Sequence, residues 1–155
     1  MNKVILKNLS LCSLAIGAIL GVLAAIPYIG GIALFSVLLL SAPLAILFLI
    51  MAGKMDLTTP KDSIISGAIT GFCANITFSF AYSIVVALIY LLFKYTTNYF
   101  LTAMIINSPI WLFIIVVLFI GILTATTNAF TGFFFFFIIN LIRDIYERKH
   151  NNEDI

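Results

Sequence analysis

Residues 9–52 read LSLCSLAIGAILGVLAAIPYIGGIALFSVLLLSAPLAILFLIMA and contain no charged side chain. A helix needs about 20 apolar residues to cross the hydrocarbon core of a bilayer, so this run is long enough for two crossings. The PYIGG segment at residues 27–31 interrupts it, and proline and paired glycines are typical of a tight turn in which glycine supplies the unusual dihedral angles. We therefore predict a helical hairpin with spans over residues 9–26 and 32–51.

Two prolines further along mark helix features. Pro43 lies inside the second span and should kink it, with Ser41 close enough to help satisfy the carbonyl that the proline leaves free. Thr59 and Pro60 form a helix-start signal, a threonine N-cap followed by proline at the first helical position, with an acidic residue in the first turn. A third span is expected to follow over residues 64–93.

The last part of the chain predicts a fourth span and a tail. Residues 99–106 are apolar but too short to cross, so we expect them on the membrane interface. A Ser-Pro pair then starts a span over residues 109–141, which is longer than one crossing requires. Such a helix would tilt, or its last turns would project into solvent, and the alternative is a break at residues 124–128 that divides the span in two. Residues 143–155 form a tail of mixed charge.

The whole composition agrees with a membrane protein. Of the 155 residues, 63% are hydrophobic and 9% are charged, whereas soluble domains average about 45–50% apolar and about 25% charged residues. A chain of this length cannot bury so much apolar surface in water. We expect a single transmembrane domain over residues 1–155, with the lipid bilayer as its main partner.

The cations indicate how the spans are oriented. With four spans, seven of the eight cationic residues fall on one face, namely Lys3, Lys7, Lys54, Lys61, Arg143, Arg148 and Lys149, and Lys94 falls on the other. Lysine and arginine are enriched in cytoplasmic loops. We therefore predict an all-α, integral membrane four-helix bundle of two hairpins, with both termini cytoplasmic. The abundance of Phe, Ile and Asn is typical of AT-rich bacterial genomes and suggests a bacterial inner membrane.

The pattern G-A-I-x-G-x-x-A occurs at residues 17–24 and again at residues 67–74. Both copies would cross in the same direction, so a parallel internal repeat and a chance similarity between small-residue helices both fit. Small residues at this spacing let helix backbones approach closely. The candidate packing faces are Gly17, Gly21 and Ala24 in span one, Gly67, Gly71 and Ala74 in span three, and Gly121, Ala125 and Gly132 in span four. They would form the core of one chain or, alternatively, a homo-oligomer seam.

The four spans contain no Asp, Glu, Lys, Arg or His. Such residues are the usual markers of proton relays, ion paths and substrate sites in membranes. We therefore expect no catalytic residues, no bound cofactor and no metal site, and the net charge of +2 is too small to indicate nucleic-acid binding.

Neutral polar residues remain as candidates: Asn75, Ser79, Thr124 and Asn128. Counted along the helices, both asparagines lie about 16–20 Å from the cytoplasmic ends, near the middle of the bilayer. We expect both amides to face the bundle interior and to bond across spans three and four, either as a structural clasp or as the lining of a solute path. The first interpretation favours a non-enzymatic accessory or assembly protein, and the second a small-solute transporter or channel subunit.

The orientation is testable with reporter fusions. At the N-terminus and after Arg148, a reporter that works only in the cytoplasm should be active. After Lys94, a reporter that works only outside the cytoplasm should be active. The reason is that moving seven cations outward is disfavoured. The measurement is enzyme activity of paired cytoplasmic and periplasmic reporters. Termini scored on opposite sides would contradict the four-span arrangement.

Overall fold

The computed structural model describes residues 3–26, 28–55, 59–96 and 99–153. In these ranges the chain is all helical, as predicted, with α1 at Lys3–Ala24, α2 at Gly30–Leu39, α3 at Ser41–Met51, α4 at Pro60–Phe93, α5 at Tyr99–Asn107 and α6 at Ile110–Glu153. Three of them, α1, α4 and α6, are long and apolar enough to cross a membrane. Helices α2 and α3 meet the same criterion only as a pair, bent by 67° at their junction.

Helix α1 packs against α4 through its glycines. A methyl group on Gly17 would overlap the Ala74 carbonyl, and one on Gly21 would lie 2.5 Å from the Phe78 carbonyl. Contacts therefore advance in the same direction along both helices, which makes them parallel. The absence of side chains at these two positions is what allows the two backbones to touch.

Helix α6 packs on another face of α4, and the two run antiparallel. Gly67 lies against the Asn128 carbonyl and Gly71 against the Thr124 carbonyl, so one number rises as the other falls. One turn closer to the start of α4, the Ser63 hydroxyl donates to the Gly132 carbonyl at 2.6 Å. Helix α4 is thus the central helix, with a backbone-to-backbone seam on each side.

The bent pair covers both ends of this core. Helix α2 contributes Ala33 and Val37 to an apolar cluster that includes Ala74. Helix α3 contributes Ile46 to a second cluster, which also contains Leu9 near the start of α1, and Met55 and Phe136. The pair therefore runs from the region near the end of α1 to the region near its start.

Two helix ends are formed by local sequence signals, of which the first was predicted. Thr59 is the N-cap of α4, its hydroxyl accepts from the Asp62 N–H at 3.2 Å, and Pro60 opens the helix, which confirms that start signal. At the end of α3, Gly53 has a φ of +63°. Its N–H and that of Lys54 bond back to the Ile50 and Leu49 carbonyls, a common glycine-dependent helix stop.

The turn between α1 and α2 differs from the prediction. The positive φ there belongs to Tyr28, at 72°, and not to a glycine. Gly30 instead opens α2, where a Cβ would lie 2.7 Å from the Ala24 carbonyl. This glycine is required by a close approach between backbones. Pro27, the other residue named for this turn, lies outside the described residues.

The alternative prediction of a break in the last span was wrong. Helix α6 is continuous for 44 residues, with no break at residues 124–128. Residues 32–51 are instead interrupted at Leu40, where α2 and α3 meet at a bend of 67°, so the predicted kink is present but lies three residues before Pro43. Pro43 is the third residue of α3 and has no N–H to offer the Leu39 carbonyl, which is the physical reason for a break just before it.

The two seams can be tested by adding single methyl groups. Gly67→Ala and Gly17→Ala should each lower the stability of the bundle by about 1–3 kcal/mol, because the new Cβ overlaps a backbone carbonyl of the neighbouring helix. The measurement is the thermal unfolding midpoint of the purified protein in detergent.

Gly31→Ala is the matched control, because a Cβ at Gly31 meets nothing within 4 Å. It should change stability by less than about 0.5 kcal/mol. Equal destabilisation by all three changes would contradict the packing described above.

Candidate functional site

The Asn128 side chain of α6 is inserted into the break between α2 and α3. The residue is completely buried. Its Nδ2 donates to the Leu38 carbonyl at 2.8 Å and the Val37 carbonyl at 3.1 Å, while its Oδ1 accepts from the Ala42 N–H at 2.7 Å. In an unbroken helix the Ala42 N–H would bond the Leu38 carbonyl. The Asn128 amide therefore replaces the backbone hydrogen bond that the break removes.

Two hydroxyl groups also donate hydrogen bonds to backbone carbonyls at the break. Thr127, next to Asn128 in sequence, donates to the Leu38 carbonyl at 2.7 Å. Ser41 donates to the Val37 carbonyl at 2.8 Å, close to the role expected for it beside Pro43. Unbonded backbone groups are costly away from water, so an interrupted helix in a bilayer needs such partners.

Asn75 makes a different connection. It is 1% exposed, and its Nδ2 donates to the Val117 carbonyl of α6 at 3.1 Å. Its bond thus joins α4 to α6, as expected for spans three and four. The prediction that Asn128 also bonds across spans three and four was wrong. Its amide bonds the α2–α3 pair instead, because the break there offers two carbonyls and an N–H.

The four polar candidates do not form one path. The Thr124 hydroxyl returns to the Ile120 carbonyl of its own helix at 2.7 Å, and its carbonyl accepts from Asn128 at 3.0 Å. Ser79 lies elsewhere, on the wall of a cavity of about 410 Å³ that is also lined by Leu34, Tyr82, Ser83, Val117 and Ile120. Asn75, Thr124 and Asn128 do not line this cavity.

The small-residue candidates lie between helices of the same chain. Gly17, Gly21, Gly67, Gly71, Ala74, Gly121 and Gly132 are buried, while Ala24 and Ala125 are half-buried. Gly121 lies under the ring of Phe72, with a Cβ position 3.1 Å from its Cε2 atom. The matched motifs of α1 and α4 therefore face different partners, α4 in one case and α6 in the other.

Sequence reasoning missed Thr127 and Ser63, which make bonds between helices. The signal for Thr127 was its place beside Asn128, opposite a proline-containing span. Ser63 stands just before an apolar run, where it looks like an ordinary helix-start residue. Neither signal identifies the partner helix.

Within the described ranges, no three His, Cys, Asp or Glu side chains are grouped in a way that could hold a metal ion. Cys12 and Cys73 are free thiols. No protein-family model, curated protein or solved structure matches this chain. The residues and their geometry are therefore the basis for any functional conclusion.

The insertion of Asn128 predicts an order of mutational effects. Asn128→Leu should lower stability by more than about 2 kcal/mol, because it leaves the buried Ala42 N–H without an acceptor and takes one donor from each of the Val37 and Leu38 carbonyls. Asn75→Leu removes the hydrogen bond to the Val117 carbonyl, which lies inside a continuous helix, and should cost about 0.6 kcal/mol and at most about 2.

The measurement is again thermal unfolding in detergent, with both leucine variants compared at matched protein concentration. Asn75→Leu serves as the matched control, since it makes the same chemical change at a similar depth. An Asn128→Leu protein as stable as the wild type would show that the amide is not what holds the break.

Proposed function

We propose that the chain crosses the membrane four times with both termini in the cytoplasm. The parallel packing of α1 on α4 supports this topology, because the chain between two parallel helices has to return through the thickness of the bundle. Helices α2 and α3 together have 21 residues, about 30 Å of helix, and their clusters run from Ala33 beside Ala74 to Ile46 beside Leu9. The bent pair is then the second span, and α6 the fourth.

We further propose that the protein is a non-enzymatic accessory or assembly component that works through helix packing. The observation that carries this proposal is the use of both mid-span amides by the protein's own backbone. Asn128 fills the helix break and Asn75 bonds α6. Polar groups that serve a solute must be free to bind it, whereas these serve the fold. The arrangement is that of a rigid scaffold.

The glycine faces support packing within one chain over a homo-oligomer seam. Gly17, Gly67 and Gly71 are already in contact with backbone carbonyls of neighbouring helices. A second chain would have to displace a helix to reach them. Self-association, where it occurs, would use the apolar outer surface of the bundle.

The end of α6 gives this scaffold a surface on the cytoplasmic side. Ser63 bonds Gly132, so the antiparallel register places Pro60, the first residue of α4, level with about residue 135. Helix α6 continues to Glu153. Beyond that level Leu141 and Ile145 are exposed, beside a sequence of mixed charge. An extension of this kind suits an assembly role, since it reaches past the rest of the bundle.

The alternative is a small-solute transporter or channel subunit. Its support is the bent pair itself, because transporters often bind substrates where a helix is interrupted near the bilayer midplane. The cavity beside Ser79 and Ser83 is a further point in its favour. The carbonyls of the break are occupied by Asn128 and Thr127, however, which favours the scaffold.

Thiol labelling separates the two functions. In a background with Cys12 and Cys73 replaced by alanine, Thr124→Cys should resist a small hydrophilic thiol reagent in intact membranes, because the position is fully buried beside Gly71. Tyr95→Cys, exposed in the segment that follows α4, is the control and should react at least tenfold faster. Comparable rates at both positions would indicate a water-filled path through the core and would favour the transporter.

A further inference from the structure

The cavity of about 410 Å³ lies at one end of the bundle and is lined by residues of α2, α4 and α6, by Ala24 at the end of α1 and by Met104 and Ile105 of α5. Its position in the bilayer follows from the four-span topology proposed above, on which the present inference rests. From Ile64, just after the cytoplasmic Lys61, Ser79 is 15 residues further on and Ser83 is 19. At about 1.5 Å per residue these are depths of about 22 and 28 Å. The hydrocarbon core is about 30 Å thick, so the cavity belongs to the outer half.

Aromatic residues mark the same boundary. Tyr28 lines the cavity at the end of α1, and Trp111, near the start of α6, is exposed. Tyrosine and tryptophan are enriched at the level of lipid headgroups. The part of the cavity that Tyr28 lines is therefore close to the depth at which the glycerol esters of outer-leaflet lipids lie.

The lining is divided by chemistry. Leu34, Val117 and Ile120 provide apolar wall, and Ser79 and Ser83, one helical turn apart on α4, provide hydroxyls. The hydroxyls of Ser13, Ser36 and Thr124 donate to carbonyls of their own helix. In the part of the chain that the structure describes, no such bond forms at Ser79 or Ser83. These two donors are available to a ligand.

We propose that this cavity binds one acyl chain of an outer-leaflet phospholipid, with the ester carbonyl accepting a hydrogen bond from Ser83 or Ser79. The acyl chain matches the apolar wall of the cavity, and its ester carbonyl, an acceptor near the interface, matches the two serine hydroxyls. The volume lies within the range of about 300–1,000 Å³ that is usual for small-molecule sites. Water is a poor occupant of a space with mostly apolar walls.

The chain offers a way to fill the cavity without disturbing the helices. Gly31 lines it, and a Cβ at this position meets nothing within 4 Å. Gly31→Leu should therefore place its side chain in the cavity. Leu34→Trp fills the same space from another position on α2, so the result does not depend on one variant folding. Ala15→Leu is the matched control, because Ala15 lines a separate groove between α1 and α3.

The experiment reconstitutes the full-length protein in vesicles of phosphatidylglycerol that contains a fraction with a diazirine at the end of one acyl chain. After illumination, adducts are counted and mapped by mass spectrometry. Wild-type and Ala15→Leu proteins should give one predominant adduct on the segments that carry Leu34 or Val117. Gly31→Leu and Leu34→Trp should reduce it at least tenfold. The double change Ser79→Ala and Ser83→Ala should reduce it by about threefold to tenfold.

Equal labelling of all variants, or labelling spread evenly over the lipid-facing surface, would overturn the proposal. Retention of a small polar solute in place of the lipid would overturn it too and would favour the transporter. The reporter fusions described above are scored on the same variants. If they place the termini in the cytoplasm and the labelling fails, the lipid site alone is wrong; if they fail, the topology is wrong.

Discussion

The fold depends on the rule that every backbone polar group inside a bilayer must be bonded within the protein. Helix α2 ends at Leu39 and α3 begins at Ser41, a break that exposes polar backbone groups. The amide of Asn128 bonds the Ala42 N–H on one side and the Leu38 carbonyl on the other. An asparagine side chain carries the same donor and acceptor as a peptide group, so it can replace a rung of the helix. Helix α6 thus supplies the hydrogen bonds that the bend removes from the α2–α3 pair. The same bonds hold α6 against the pair.

Close backbone approach is the second organising feature. Helix α4 is touched on one face by Gly17 and Gly21 of α1, and its own Gly67 and Gly71 touch α6. The same short motif serves a parallel seam in one helix and an antiparallel seam in the other. Similar sequence therefore does not translate here into equivalent packing, since a glycine pair specifies that a backbone comes near without specifying which one.

These two features divide the molecule into a closed part and an open part. Around Asn75, Thr124 and Asn128 the side chains are buried and bonded to backbone. The open part contains the cavity beside Ser79 and Ser83 and the end of α6, where Leu141 and Ile145 are exposed.

The sequence by itself determined the helical class, the long apolar segments and local signals such as the Thr59 cap, because these depend on composition and on neighbours in the chain. It also indicated that Asn75 and Asn128 would be buried, since an amide in an apolar span needs partners. Only the tertiary structure decided that the break falls at Leu40, that Asn128 fills it and that Thr127 assists. Those contacts join residues 89 and 90 positions apart. No local pattern encodes such a pairing, because the choice of partner depends on how whole helices pack.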